Sequence, residues 1–166
     1  MKRNHTLTIA LGGMLAALVF VATYLIKLPF SLTQGYIHLG DGFILLGAAL
    51  LGRAAIPAAA IGSMLADLLG GYTIYCLPTF LIKGAVAAVA VHAFRPSTPR
   101  WACLLWMAAA ELVMVLGYFL AEWLVLGYGL AAALSAVAPN LVQGLSGVII
   151  GAVFAPALGR LLRIKR

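Results

Sequence analysis

The sequence predicts an all-α integral membrane protein, a compact bundle of six transmembrane helices in one domain over residues 1–166, with its N- and C-termini cytoplasmic. Three observations lead there. Hydrophobic residues make up 64% of the chain and charged residues only 9%, far from the make-up of a soluble domain. At about 20 residues per transmembrane helix, 166 residues accommodate about six spans with short connections and leave no room for a separate soluble domain. The basic residues, finally, are distributed as a membrane topology requires.

The first span is expected over about 6–27, closed by Pro29, which does not let a helix continue. The run Met1-Lys2-Arg3 with its apolar sequel is expected to be the first helix, being too long for a signal peptide and having no clean small-x-small cleavage site before a polar mature domain. An irregular connection, PFSLTQGYIH, leads to a short second helix over about 39–52. At 1.5 Å per residue that helix covers about 21 Å, less than a hydrocarbon core of about 30 Å, so part of the preceding loop is expected to dip into the membrane, shielded by protein. Arg53 and Pro57 mark a tight turn into a third helix, about 58–69, ended by Gly70-Gly71-Tyr72. Pro78 opens the fourth, about 79–94, at a position where proline is tolerated. RPSTPR forms a loop before the fifth, about 102–126. Gly127 to Gly129 begin a softer connection, and the sixth helix follows Pro139, over about 139–158.

Charge orients this bundle. With the N-terminus inside, the loops at Arg53 and at Arg95 to Arg100 and the C-terminal tail all fall on the inner side. Nine of the eleven basic residues then face the cytoplasm, the asymmetry expected for six spans with both ends in the cytoplasm; only Lys27 and Lys83 do not. The net charge of +7 therefore signals topology, not nucleic-acid binding, since no basic-aromatic groove accompanies it. Cys76 and Cys103 fall on opposite sides, so no disulfide is expected.

Helical spacing decides which polar residues meet. In the third helix Ala59, Gly62, Ser63, Ala66, Asp67 and Gly70 share a small-residue face suited to close packing, which points Asp67 inward. Glu111, Tyr118 and Glu122 share a face of the fifth, and Asn140, Gln143, Gly144, Gly147 and Gly151 a face of the sixth. The orientation puts Tyr36, His38, Asp41, Asp67, Tyr72, Tyr75, Thr79, Lys83, Tyr118, Glu122, Asn140 and Gln143 together in the outer half. A charge in a membrane helix costs on the order of 2.5–3.5 kcal/mol on insertion scales, so such a gathering predicts a polar, ring-lined pocket open to the outside. Simpler roles stand beside this one. Asp67 and Lys83 form either ligand contacts or a mutual ion pair; Tyr72 and Tyr75 are either pocket rings or interfacial aromatics; Asp41 is either a pocket residue or an N-cap. Glu111, alone in the inner half, is expected to pair with a backbone or basic group. No phosphate loop, H-E-x-x-H or G-x-S-x-G is present, so the chain is not expected to be an enzyme, to carry a cofactor or to hydrolyse ATP. Two other classes remain: a proton-coupled carrier using Asp67 or Glu122, and a lipid-modifying enzyme with a metal at Asp41, Asp67 and His38.

The runs GYIHLGDGFILLGAALLGR, AAIGSMLADLLGGY and YCLPTFLIKG resemble the substrate-binding S components of energy-coupling-factor (ECF) vitamin transporters. The resemblance implies a six-helix membrane protein that captures a water-soluble vitamin or precursor from outside, pyridoxine-like, hydroxymethylpyrimidine-like or riboflavin-like. It would deliver it inward with a transmembrane coupling protein and two cytoplasmic ATPases, in contact with membrane lipid and with no nucleic-acid partner. It also implies a docking face on the first helix, where Gly12-x-x-x-Ala16 and Gly13-x-x-x-Ala17 stand in place of an Ala-x-x-x-Ala pattern. A lid is implied at Pro29 to His38, with Gly70 to Leu77 as a second flap.

Overall fold

A computed structural model describes residues 5–29 and 36–161. Its helices are α1 (His5–Leu25), α2 (Gly40–Leu51), α3 (Ala55–Leu69), α4 (Cys76–Ala93), α5 (Arg100–Leu120) and α6 (Leu130–Leu161). Two short strands, β1 (Leu28–Pro29) and β2 (Tyr36–Ile37), pair antiparallel with Leu28 opposite Ile37. Residues 30–35 of the expected lid lie outside the described residues. Among the described residues, five segments are long and apolar enough to cross a membrane: His5–Leu25, Gly40–Leu69, Thr73–Ala93, Arg100–Val125 and Leu130–Leu158. The protein is therefore an all-α, multi-pass membrane protein. Its outer surface carries exposed Ile9, Leu81, Leu105, Leu124 and Val153, the apolar cladding that hydrocarbon favours.

The second of those segments contains α2 and α3, and the chain reverses between them. Gly52 sits at φ 59° and ψ −131°, a backbone conformation open to glycine and strained for other residues, and a 3₁₀ turn over Gly52–Ala54 leads into α3. Contacts with α1 record the reversal. A Cβ on Gly40, at the start of α2, would fall on the Thr23 hydroxyl, and one on Gly70, just past α3, would fall on the Lys27 amine. Both positions lie at the C-terminal end of α1, whereas Ala54 at the turn approaches Gly12 near its beginning. Pro57 is not the turn itself: it lies within the first turn of α3, where its missing N–H has no intrahelical partner to lose.

Other boundaries also move. Helix α6 begins at Leu130, well before Pro139, and keeps both Pro139 and Pro156 inside it. Proline removes one i→i−4 hydrogen bond, but packing by neighbouring helices lets a membrane helix continue past it. Between α5 and α6 the helix widens into a π turn over Ala121–Val125. Gly127 and Gly129, both at positive φ, then carry the connection.

The α1 helix packs on α2 and α3, α4 lies between α3 and α5, and α6 closes the bundle against α5 and α2. Val19, Ile44, Leu45, Val86, Met107 and Met114 form its buried apolar centre. Close approach of α1 and α3 depends on Gly62, whose Cβ would strike the Ala16 backbone. The small-residue face expected on α3 is accordingly inward, with Ala59, Gly62, Ser63, Ala66 and Asp67 all buried. Both cysteines are free.

Candidate solute-binding site

The ends of α1, α3 and α5 and the beginnings of α2, α4 and α6 meet at one end of the bundle, and there the polar side chains gather. At the centre is a buried ion pair: Lys83 Nζ donates to Asp41 Oδ1 at 2.6 Å, with the two side chains 0% and 1% exposed. Gln143 Nε2 donates to the other oxygen, Asp41 Oδ2, also at 2.6 Å. Taking two charges out of water costs several kcal/mol per ion, recovered only when geometry is close and the remaining lone pairs are satisfied. Asp41 meets that condition with both oxygens occupied. The sequence left Lys83 paired with Asp67 as one reading; the observed partner is Asp41. Nor is Asp41 an N-cap, since α2 has no side-chain cap.

His38 completes this layer. Its backbone N–H donates to Gln143 Oε1 at 2.9 Å, and its Nδ1 accepts from the Gly40 amide at 3.0 Å, which places the ring hydrogen on Nε2. Burial, with Lys83 adding to it, depresses the imidazole to about 3 despite the opposing influence of Asp41. The ring is thus neutral at physiological pH.

A second layer lies nearer the end of the bundle. Tyr36 Oη donates to Asp67 Oδ1 at 2.6 Å, and Thr79 Oγ1 shares a hydrogen bond of 3.0 Å with Tyr118 Oη. Tyr118 also places its ring 5.4 Å from Lys83 Nζ. Tyr75 Oη donates to Glu122 Oε1 at 2.9 Å, and its ring stands 6.4 Å from those of Tyr118 and Tyr128. Tyr75 is buried, not an interfacial aromatic. Asn140 is only half-buried, one turn from Gln143 on α6.

Three features were not anticipated. Lys27 Nζ lies 4.8, 4.6 and 4.8 Å from the ring centroids of Tyr24, Tyr36 and Tyr72, a cation–π arrangement that ties the end of α1 to β2 and to the segment after α3. Burial lowers the Lys27 pKa, with Asp67 opposing; burial and Asp67 both raise that of Tyr36. Thr23 is buried beside His38. Glu111, expected to pair, has neither carboxylate oxygen hydrogen-bonded among the described residues, and the same holds for Asp67 Oδ2. The i, i+3 relation of Tyr24 and Lys27 was a readable signal for their contact. Nothing in the spacing of α5 signalled that Glu111 would have no hydrogen-bond partner among the described residues.

Of the docking positions, Gly12 and Ala16 lie toward Ala54 and Gly62 of the neighbouring elements, while Gly13 and Ala17 are exposed. Among the described residues no three His, Cys, Asp or Glu side chains come together as a metal site.

A multi-pass helical bundle with hydrogen-bonding and aromatic side chains from every helix converging at one end, and lipid-facing apolar walls elsewhere, belongs to the class of membrane proteins that hold a solute. The family model for the ECF-type riboflavin transporter, S component, matches residues 3–160, and the chain belongs to that family. It is thus a substrate-binding S component of an ECF-type transporter, a transport protein of the cell membrane and not an enzyme. A solved structure described as "Structure and mechanism of the S component of a bacterial ECF transporter" shares the fold, with a TM-score of 0.78 over 96% of this chain and 99% of that one at 19% identity. A Pyrococcus woesei protein described as "Uncharacterized protein in gap 3'region" is 35% identical over 134 residues, 80% of this chain and 88% of the relative.

Proposed function

We propose that this chain captures riboflavin, or a small aromatic solute like it, from the extracytoplasmic side. It passes the solute inward in company with a transmembrane coupling protein and two cytoplasmic ATPases. The observation that carries this reading is the layer formed by Lys83, Asp41, Gln143 and His38 beneath the rings of Tyr36, Tyr75 and Tyr118. Donors and acceptors there suit the carbonyl, N–H and hydroxyl groups of a flavin, and the rings above suit its fused aromatic system. The family model matched by this chain is that of a riboflavin transporter component, which favours riboflavin over pyridoxine-like or hydroxymethylpyrimidine-like solutes. Six crossings with both termini cytoplasmic agree with the reversal at Gly52 and with the basic residues at Arg53, Arg95 and Arg100. In this orientation the polar cluster faces outward.

The test is equilibrium titration of the purified chain with riboflavin, pyridoxine and hydroxymethylpyrimidine, followed by uptake in vesicles with and without the coupling protein and ATPases. Tight riboflavin binding by the chain alone, with ATP-dependent uptake only in the full assembly, is expected. Gradient-driven uptake by the isolated chain would overturn the division of labour, and preference for another solute would overturn the assignment of riboflavin.

A further inference from the structure

Glu111 is the one carboxylate below the ion pair, on the side away from the mouth, and its surroundings are built around it. It is 4% exposed, and both of its oxygens lack a hydrogen-bond partner among the described residues. The facing helix α6 has glycine at both positions that meet it. A Cβ on Gly144 would come within 2.9 Å of Glu111 Cβ, and one on Gly147 within 3.0 Å of Glu111 Oε1 and 3.2 Å of Asp41 Cβ. Glu111 and Asp41 therefore flank the same point over Gly147. Lys83 Nζ and Gln143 Nε2 both donate to Asp41, and neither is hydrogen-bonded to Glu111.

A buried carboxylate with two open acceptor oxygens is costly unless donors reach it. We infer that Glu111 is a ligand-contacting residue that accepts hydrogen bonds from N–H or O–H groups at the buried end of the solute, and so selects solutes that carry donors there. The inference rests on the proposed function and deepens it. A flavin supplies two such sets, the ring N3–H and the hydroxyls of its side chain. Glu111 discriminates by leaving its oxygens unsatisfied when a solute lacks the donor, a penalty of the kind that gives polar sites their selectivity.

The conservative variant separates this role from a space-filling one. Glutamine has the shape of an uncharged glutamic acid, so Glu111→Gln is silent if Glu111 serves only as a neutral packing group. A hydrogen bond to a charged group contributes about 1.5–3 kcal/mol, so loss of the carboxylate should weaken riboflavin binding by about tenfold to a hundredfold. Gly144→Ala, whose added Cβ would press on Glu111 Cβ at 2.9 Å and on Oε2 at 3.5 Å, should weaken binding in the same sense. Three flavins serve as probes: riboflavin, 3-methylriboflavin, which lacks the ring N–H, and lumiflavin, which lacks the hydroxylated chain. Wild type and Glu111→Gln are titrated with each, with thermal unfolding of both as the folding control. Loss of riboflavin affinity in Glu111→Gln, together with no further loss for one of the two analogues, identifies the donor Glu111 reads. Unchanged riboflavin affinity in a folded Glu111→Gln chain overturns the inference while leaving the proposed function standing. So does an equal loss for all three flavins. A folded wild-type chain that binds none of them overturns the proposed function and the inference together. If Glu111→Gln does not fold, Gly144→Ala decides: unchanged riboflavin affinity there overturns the inference, and a selective loss supports it.

Discussion

Lys83 and Asp41 show how much depends on one pair of side chains. Removing one partner leaves the other charged and buried, at a cost of about 3–5 kcal/mol, whereas replacing both together is far less damaging. Lys83→Met is therefore expected to lower the thermal midpoint of the detergent-solubilised chain sharply, and addition of Asp41→Asn to recover much of the loss. Equal midpoints for Lys83→Met and wild type would contradict the buried pair. His38 makes a prediction about acid. Its imidazole is held near 3 in the folded chain against an ordinary value of 6.5. Between those values the unfolded chain binds the proton and the folded chain does not, so stability rises with pH across the window and is lost as pH falls from about 6.5 toward 3. His38→Gln should flatten that dependence in unfolding measured from pH 7 to pH 4.5. A slope identical to wild type would show that other groups control it. These residues illustrate what the sequence made legible. That Asp41, Lys83 and Gln143 share one end followed from helical spacing and charge orientation. Which of two aspartates Lys83 takes did not, because Asp41 and Asp67 lie on different helices and only packing sets their distances.

At the scale of the helix, glycines record where backbones meet. Gly62 lies where an added Cβ would run into the backbone of Ala16, while at Gly84 a Cβ would sit 3.6 Å from Ala60 Cβ, an ordinary contact. Gly62→Ala is expected to destabilise by about 1–3 kcal/mol through overpacking. Gly84→Ala should be neutral or stabilise by up to about 1 kcal/mol, since alanine restricts the unfolded chain. Thermal midpoints that fell equally would contradict the α1–α3 contact. The outward strip of α1, Gly13 and Ala17, suits close approach by another helix. Ala17→Trp is expected to leave riboflavin binding intact and to reduce uptake in the complete transporter; undiminished uptake would remove this strip from the docking face. Helix positions were well legible from apolar runs broken by glycine and proline. The start of α6 was not, because Pro139 read as a boundary, yet α6 continues through it under cover of its neighbours.

For the whole molecule, the all-α membrane class was readable because hydrocarbon leaves so few options for backbone polar groups. The gathering of polar groups at one end was readable because stray charge in a bilayer is costly. What escaped the sequence were relations across the bundle, above all the isolation of Glu111 and the clasp of Tyr24, Tyr36 and Tyr72 around Lys27. That clasp makes the two lysines chemically unequal. Lys83 is 0% exposed, whereas Lys27 is half-buried at the end of α1. An amine-methylating reagent should therefore mark Lys27 more readily than Lys83, so that the ratio of their labelling, read by mass spectrometry, gauges how far this end of the bundle opens.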